Sequence, residues 1–425
     1  MKPISATVVG MGRIGMSLAA FFASKGVRIM GVESDARRRE MILRGCIGSN
    51  EPGLDDLYKK FGRCIELTDL ATAVRSTDLS FIIVPTPSNS DGSLCDKAVK
   101  EVLQGIKSAV KSNQQHIAVI VSTLSPGTMR GPLGQIIDPQ SAASLRICYN
   151  PTLVALGSTL SGLASPPFIL LGVDDQVAGE RLAAFYSSLG YDRDLVVQMD
   201  TVNAEITKLT LNAFLATKIA FANSVAAICE KVPGAEAAGV LAAIGRDLRV
   251  GNQYLKAGPP YGGPCLPRDN EAFIKLADTY GVEPIMAGAT KQSNDNWYAT
   301  LLTNIVKRAP HGRTTFGVVG LSYKHGTDYL DGGFGLRLSE DLVAQGYRVL
   351  AYAPEIQESY GASLSHLAFV SDISEMVSAC DVCVLTYPDT DLARSVYAAA
   401  ASKTIVVTVW PFDHGNNAQS ETALS

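Results

Sequence analysis

A cysteine in a glycine- and proline-rich loop just before a helical pattern is placed to act as a nucleophile. The segment Tyr261-Gly262-Gly263-Pro264-Cys265-Leu266-Pro267-Arg268-Asp269 has that form. Backbone amides at a helix start lower a thiol pKa, and the thiolate is the reactive species. The other seven cysteines are read as inert core thiols, including Cys380 and Cys383, whose C-x-x-C spacing falls in and beside an apolar strand. With 5 histidines and no paired Cys/His spacing, no metal site is expected. Glu205, Lys208 and Asn212 stand at i, i+3 and i+7 of a long helical pattern and so share one face. An asparagine one turn beyond a lysine in an apolar stretch points to a polar cluster aimed into a cleft rather than a solvated face.

A second kind of chemistry is written near the start of the chain. Gly10-Met11-Gly12-Arg13-Ile14-Gly15 is a G-x-G-x-x-G that follows a strand pattern and opens a helix. The first glycine permits a tight turn, the second lets backbone approach a pyrophosphate, and the third lets helix and strand pack closely. Glu33 ends the next strand, where an acid binds the adenine ribose hydroxyls and would repel a 2′-phosphate, so NAD is expected rather than NADP. Val84-Pro85-Thr86-Pro87 and Ser122-Thr123-Leu124-Ser125-Pro126-Gly127-Thr128 each follow a further strand and should face the same ligand, although either alone is an ordinary turn.

The elements that must position these groups alternate. Apolar runs at residues 6–9, 27–32, 79–84, 117–121, 145–148 and 168–171 are separated by helical patterns, as in a parallel sheet with crossover helices. The helix after the first run is expected over residues 14–25, closed by Gly26. Residues 201–232 form one long amphipathic helix with Ile206, Leu209, Leu211, Phe214, Leu215, Ile219 and Ile228 spaced for burial. Helices continue to about Arg308. Strand and helix then alternate again over residues 315–319, 334–345, 348–352, 381–386 and 404–409, and the polar tail after Asp413 is expected to fray. The expected architecture is α/β: two Rossmann-like, doubly wound parallel-sheet domains (1–200 and 309–425) joined by a helical domain (201–308) built on the long central helix.

Composition narrows the function. At 425 residues with 47% hydrophobic and 18% charged, the chain has ample core. Its 37 Lys+Arg against 41 Asp+Glu give no electrostatic reason for a nucleic-acid or anionic-membrane partner. No apolar run long enough to span a bilayer is free of charges, and no basic, apolar leader opens the sequence. A cytoplasmic protein with reduced thiols is the expectation.

Together these segments resemble the UDP-glucose/GDP-mannose dehydrogenase family, the NAD-dependent nucleotide-sugar 6-dehydrogenases. The resemblance is carried in order by the glycine pattern, Glu51-Pro52-Gly53-Leu54, Pro85-Thr86-Pro87, the Ser122 loop, Tyr149-Asn150-Pro151, residues 204–212, Gly245-Arg246-Asp247-Leu248-Arg249-Val250-Gly251, the Cys265 segment and Gly320-Leu321-Ser322-Tyr323-Lys324. It implies two oxidations of a primary alcohol at C6. Cys265 would trap the aldehyde as a thiohemiacetal, and the resulting thioester would be hydrolysed to a uronic acid. It implies that Lys208 stabilises negative charge on the substrate oxygen with Asn212 beside it, and that Asp269 organises or deprotonates the attacking water, which Thr123 holds. It adds Gly10, Gly12, Arg13, Ile14, Gly15, Glu33, Arg38, Pro85, Thr86, Ser122 and Thr123 as the NAD site. For the nucleotide sugar it implies Thr152, Lys208, Asn212, Arg249, Tyr254, Tyr261, Gly262, Tyr323 and Lys324. A homodimer through the central helix is implied as well.

The chain departs from the family pattern in places. Thr152 stands where the family has a glutamate, and a hydroxyl cannot serve as a base near neutral pH, where such help is worth roughly 10²–10⁴-fold. Arg268 replaces a lysine, Asp331 an arginine, and Val407-Thr408-Val409-Trp410 stands in place of an Asp-Gly-Arg. Two outcomes therefore stay open: a working dehydrogenase of altered substrate or endpoint, or a silent relative that binds nucleotide sugar or NAD. A β-hydroxyacid dehydrogenase shares the glycine pattern but has no use for Cys265 or a second α/β domain.

Overall fold

The computed structural model describes residues 5–137, 144–310, 314–354, 356, 360, 362–400, 404–410 and 420–422. They form two compact units, Met1–Thr210 and Leu211–Ser425.

The first unit is built on the strands β1 (Ser5–Val9), β2 (Arg28–Val32), β3 (Ile65–Leu67), β4 (Leu79–Ile82), β5 (His116–Ile120), β6 (Leu145–Tyr149), β7 (Ile169–Gly172) and β8 (Val196–Met199). Their order in the sheet is β3-β2-β1-β4-β5-β6-β7-β8. All pairs are parallel except β6 with β7, which meet antiparallel at Tyr149 and Gly172. Successive residues of a strand face opposite sides. Accordingly Phe81 joins a core with Met11, Phe22 and Phe185 on one face, while Ile82 joins Leu103, Ile106 and Tyr149 on the other. The order reverses between β1 and β4, the switch point at which such sheets bind ligands. There the helix Arg13–Ser24 starts; Gly26 at φ +86 ends it, and the Val27 amide donates to the Phe22 carbonyl at 3.1 Å.

The second unit carries β9 (Thr315–Val319), β10 (Arg348–Tyr352), β11 (Ala368–Phe369), β12 (Val382–Leu385), β13 (Ile405–Thr408) and β14 (Ser420–Thr422), in the order β11-β10-β9-β12-β13-β14, every pair parallel. Helices Ala237–Ile244, Leu266–Thr279 and Ile285–Lys307 precede this sheet. The expected fold class is thus the observed one. The tail differs: residues 420–422 pair with β13 as a sixth strand, while the rest of it lies outside the described residues.

The helix Thr201–Cys229 also differs from expectation. Leu209 is buried, but Phe214, Phe221 and Ile228 are 61%, 53% and 63% exposed, and Ile206 is over a third exposed. Its buried positions are filled largely by alanine (Ala204, Ala213, Ala216, Ala220, Ala222, Ala226), so neighbouring backbone comes close and the large side chains fall on the opposite face. By length and composition this helix could cross a membrane, yet it also buries Glu205, Lys208 and Asn212.

Candidate active site

In the first unit the glycine turn is shaped by close approach. Gly10 sits at φ +92, and a Cβ there would lie 2.2 Å from the Ile83 carbonyl oxygen. At Gly15 it would lie 1.8 Å from the Gly10 oxygen, so helix and strand pack as tightly as backbone allows. A Cβ at Gly12 would meet nothing within 4 Å. The helix that begins with Arg13 and Ile14 has no side-chain cap and no acid in its first turn, leaving its amides for an anion. Glu33 accepts the Met11 amide at 3.0 Å and the Asp35 amide at 2.9 Å, which fixes its carboxylate beside the turn. Arg38 donates through Nε to the Met11 carbonyl at 2.6 Å, and its Nη2 is buried without a hydrogen-bond partner. Open space at Gly12, uncapped amides, a held acid and an unsatisfied guanidinium nitrogen fit a dinucleotide.

The loops after β4 and β5 are tied together. Ser122 Oγ donates to the Val84 carbonyl at 2.7 Å and accepts the Val84 amide at 2.9 Å. Pro85 is exposed, Thr86 is buried and Thr123 is half-buried. Glu205, fully buried, accepts the amides of Gly127 at 2.7 Å and Met129 at 2.8 Å. Burial pushes this carboxyl up to about 7, against the pull of those amides. The face shared by Glu205, Lys208 and Asn212 is therefore a buried polar stripe, as the helical spacing suggested. Glu205 goes to the β5 loop rather than into a cleft.

Thr152 lies in the loop after β6. With Leu153, Val154, Phe168, Tyr186 and Tyr191 it lines a cavity of about 50 Å³ that contains no acid. The acid nearest in bonding to this loop is Glu51. It accepts the amides of Gly157 at 2.8 Å and Thr159 at 2.6 Å, and the Thr159 hydroxyl at 2.9 Å. The sequence gives Glu51 no individual task and places Glu205 only in a polar cluster aimed into a cleft. The usable signal is an acid inside an otherwise apolar or turn-forming stretch, since such a group must find donors.

In the second unit Cys265 caps the helix Leu266–Thr279, is exposed, and has Pro267 in the first turn behind it. Its carbonyl accepts the Asp269 amide at 2.8 Å. Asp269 is fully buried. One of its oxygens accepts Arg268 Nε at 2.8 Å and lies 2.7 Å from Nη2, and the other accepts Asn212 Nδ2 at 2.5 Å. Acid and asparagine are thus joined from two helices, and Cys265 precedes the acid by one helical turn. The exposed Cys46 and Cys64 and the partly exposed Cys95 and Cys229 are not core thiols as expected; they fall at element ends, where packing does not cover them. Cys148, by contrast, is buried and pushed up to about 12.

The loop before Cys265 is fastened at several points. The Tyr261 amide donates to Asn294 Oδ1 at 2.7 Å, and Tyr261 is itself buried. A Cβ at Gly262 would lie 2.0 Å from the Gly332 oxygen, and one at Gly263 2.7 Å from the Tyr323 ring. The loop after β9, with Tyr323 and the exposed Lys324, therefore packs on the Cys265 loop within this unit. Trp410 donates to the Thr386 carbonyl at 2.9 Å and lays its ring where a Gly258 Cβ would be. Asp331 is exposed. Arg249 is 89% exposed and paired to Asp247 at 2.6 Å, and Tyr254 is half-exposed at φ +60. Neither touches the cysteine cluster in any described hydrogen bond. Among the described residues no cluster of three His, Cys, Asp or Glu could hold a metal.

Known proteins match along the whole length. Residues 4–190 match the NAD binding domain of the UDP-glucose/GDP-mannose dehydrogenase family, and residues 202–296 match its central domain. The UDP-glucose 6-dehydrogenase of Haloferax volcanii is 30% identical over 387 residues, 89% of this chain and 90% of that protein. The GDP-mannose 6-dehydrogenase of Pseudomonas aeruginosa is 29% identical over 98% of each chain. The solved structure of a UDP-glucose dehydrogenase from Pyrobaculum islandicum superposes with a TM-score of 0.88 at 26% identity, covering 97% of this chain and 95% of that one. A shared glycine turn alone cannot produce agreement that runs through both units, and the chain belongs to the UDP-glucose/GDP-mannose dehydrogenase family, with NAD as its cofactor.

Proposed function

We propose that the protein oxidises the C6 primary alcohol of a UDP- or GDP-sugar through a covalent adduct on Cys265. The observation that carries this is an exposed thiol at a helix start, one turn from a buried carboxylate that Asn212 and Arg268 hold. NAD, when bound, supplies the hydride acceptor for each of the two oxidations, a fresh molecule for the second. Gly10, Gly12 and Gly15 admit its pyrophosphate, while Glu33 and Arg38 hold its adenosine end. Lys208 steadies the substrate alkoxide as the first hydride leaves. The Cys265 thiolate then adds to the aldehyde carbon, giving a thiohemiacetal whose oxidation yields a thioester. Water held by Thr123 and oriented by Asp269 attacks that thioester, releasing the acid and the thiol. Arg249, Tyr254, Tyr261, Gly262, Tyr323 and Lys324 bind the nucleotide sugar.

A second reading has its own support. Thr152 lines a cavity with no acid among its described lining residues, and Glu51 spends its carboxylate on Gly157 and Thr159, which supports a site without the family's glutamate. In that case hydrolysis is slow, or oxidation stops at the aldehyde. The test is NADH formed per sugar consumed across UDP- and GDP-sugars: two supports the acid-forming route, one the aldehyde endpoint. Absence of turnover with any of them defeats both and leaves a binding protein.

The three-part division at residues 200 and 308, the cytoplasm as location and a homodimer belong to the same proposal. The dimer is supported by Phe214, Phe221 and Ile228, exposed at intervals of seven along one helix face. Phe221→Asp should convert a dimer to a monomer in light scattering; a wild-type monomer would sink the dimer.

A further inference from the structure

The acid at Glu205 is used by none of these steps, yet it is fully buried in the helix that carries Lys208 three residues on. Its two oxygens take the amides of Gly127 and Met129, at 2.7 and 2.8 Å. Those amides converge because the loop turns back on itself: Gly127 is at φ +92, and Thr128 Oγ1 donates to the Ser125 carbonyl at 2.6 Å. The same loop holds Thr123 and the Ser122 link to Val84. We infer that Glu205 is a positioning residue for the oxidation, locking the loop that carries Thr123 to the helix that carries Lys208. This rests on the reaction proposed above.

The lock depends on ionisation. A carboxylate accepts at both oxygens, whereas the protonated acid turns one oxygen into a donor facing an amide. Of the charged groups around it, Asp174 pushes its proton affinity up and Arg130 pulls it down. Arg130 is itself held by Asp174 at 2.6 Å and lies 3.7 Å from Asp200. With the acid at about 7, the lock engages as pH rises through neutrality.

The test compares the full-length wild type with Glu205→Gln. Backbone amide exchange over residues 122–130 should be about tenfold faster in the variant at pH 8 and equal at pH 5.5. For nucleotide-sugar oxidation, kcat should fall roughly 10- to 100-fold with little change in sugar KM, and the acid limb near pH 7 should vanish. Gly127→Ala, which strains the loop from its other end, should lower kcat in the same way if Glu205→Gln does not fold. Unchanged exchange, or faster exchange with wild-type kcat and pH profile, overturns the inference. If no nucleotide sugar turns over, the proposed reaction has failed instead. NAD affinity of the two proteins then decides: about tenfold weaker binding in the variant keeps the lock, and equal binding overturns it.

Discussion

The two units begin alike and diverge within a few residues. In each, a central strand runs into a glycine in the left-handed region (Gly10 at φ +92, Gly320 at φ +94). In each, a later glycine presses the following helix onto that turn: a Cβ at Gly15 would sit 1.8 Å from the Gly10 oxygen, and one at Gly335 1.9 Å from the Gly320 oxygen. The difference lies in what separates the two. In the first unit the helix starts at Arg13, almost at once, and the space before Gly12 is open. In the second the chain runs from Leu321 to Gly333 before the helix begins, and a Cβ at Gly333 would lie 2.3 Å from the Leu321 oxygen. That intervening loop closes on itself at Gly333 and carries Tyr323 and Lys324. The same turn thus serves packing in both units, and only in the first does it leave open space at its second glycine, where the proposed function puts the cofactor.

Glycine substitutions break that comparison most sharply. Gly15→Val and Gly335→Val should each destabilise their own unit by on the order of 3 kcal/mol or more in denaturant unfolding, since backbone must move in both. Gly12→Val should stay within roughly 1 kcal/mol of wild type, because its φ of −64° suits any residue and no atom is near. It should nonetheless weaken NAD binding about tenfold or more, read by fluorescence titration. NAD affinity unchanged in Gly12→Val would remove the functional half of the contrast.

Acid should act on the first unit more gently. His116 is buried there, its ring between Ser80 and the Thr77 carbonyl, and burial pushes it down to about 4 from 6.5. The unfolded chain then binds the extra proton, so stability is lost as pH falls from 6.5 to 4. Glu205 acts oppositely: its pKa is raised from 4.5 to about 7, so the folded state holds the proton and stability is gained as pH falls from 7 to 4.5. Each amounts to on the order of 3 kcal/mol, and the two nearly cancel in the wild type. Glu205→Gln should leave a first unit that weakens on acidification, and His116→Gln one that strengthens. Parallel pH curves for the two variants would contradict these assignments.

What could be read from the chain alone follows from the range of the interactions. The glycine turn, Glu33 and the start of the Cys265 helix are local patterns, in which spacing and turn chemistry suffice. The partners of Glu205 and Glu51 lie 76 and 108 residues away, so only the folded sheet reveals them. The exposure of Phe214 and Ile228 was missed because helical periodicity shows which residues share a face, not which face is covered. β14 was missed because a short polar segment owes its strand to β13 rather than to its own residues.

The central claim is that the Cys265 sulfur captures the carbonyl made by hydride loss. Acid-quenched mass spectrometry during turnover of a nucleotide sugar with NAD tests it most directly. A sugar-nucleotide adduct is expected on the peptide containing Cys265 and absent from Cys265→Ala, which should form no more than one NADH per sugar because the second oxidation needs the thiol. Two NADH per sugar from Cys265→Ala, with no adduct on the native protein, would contradict it.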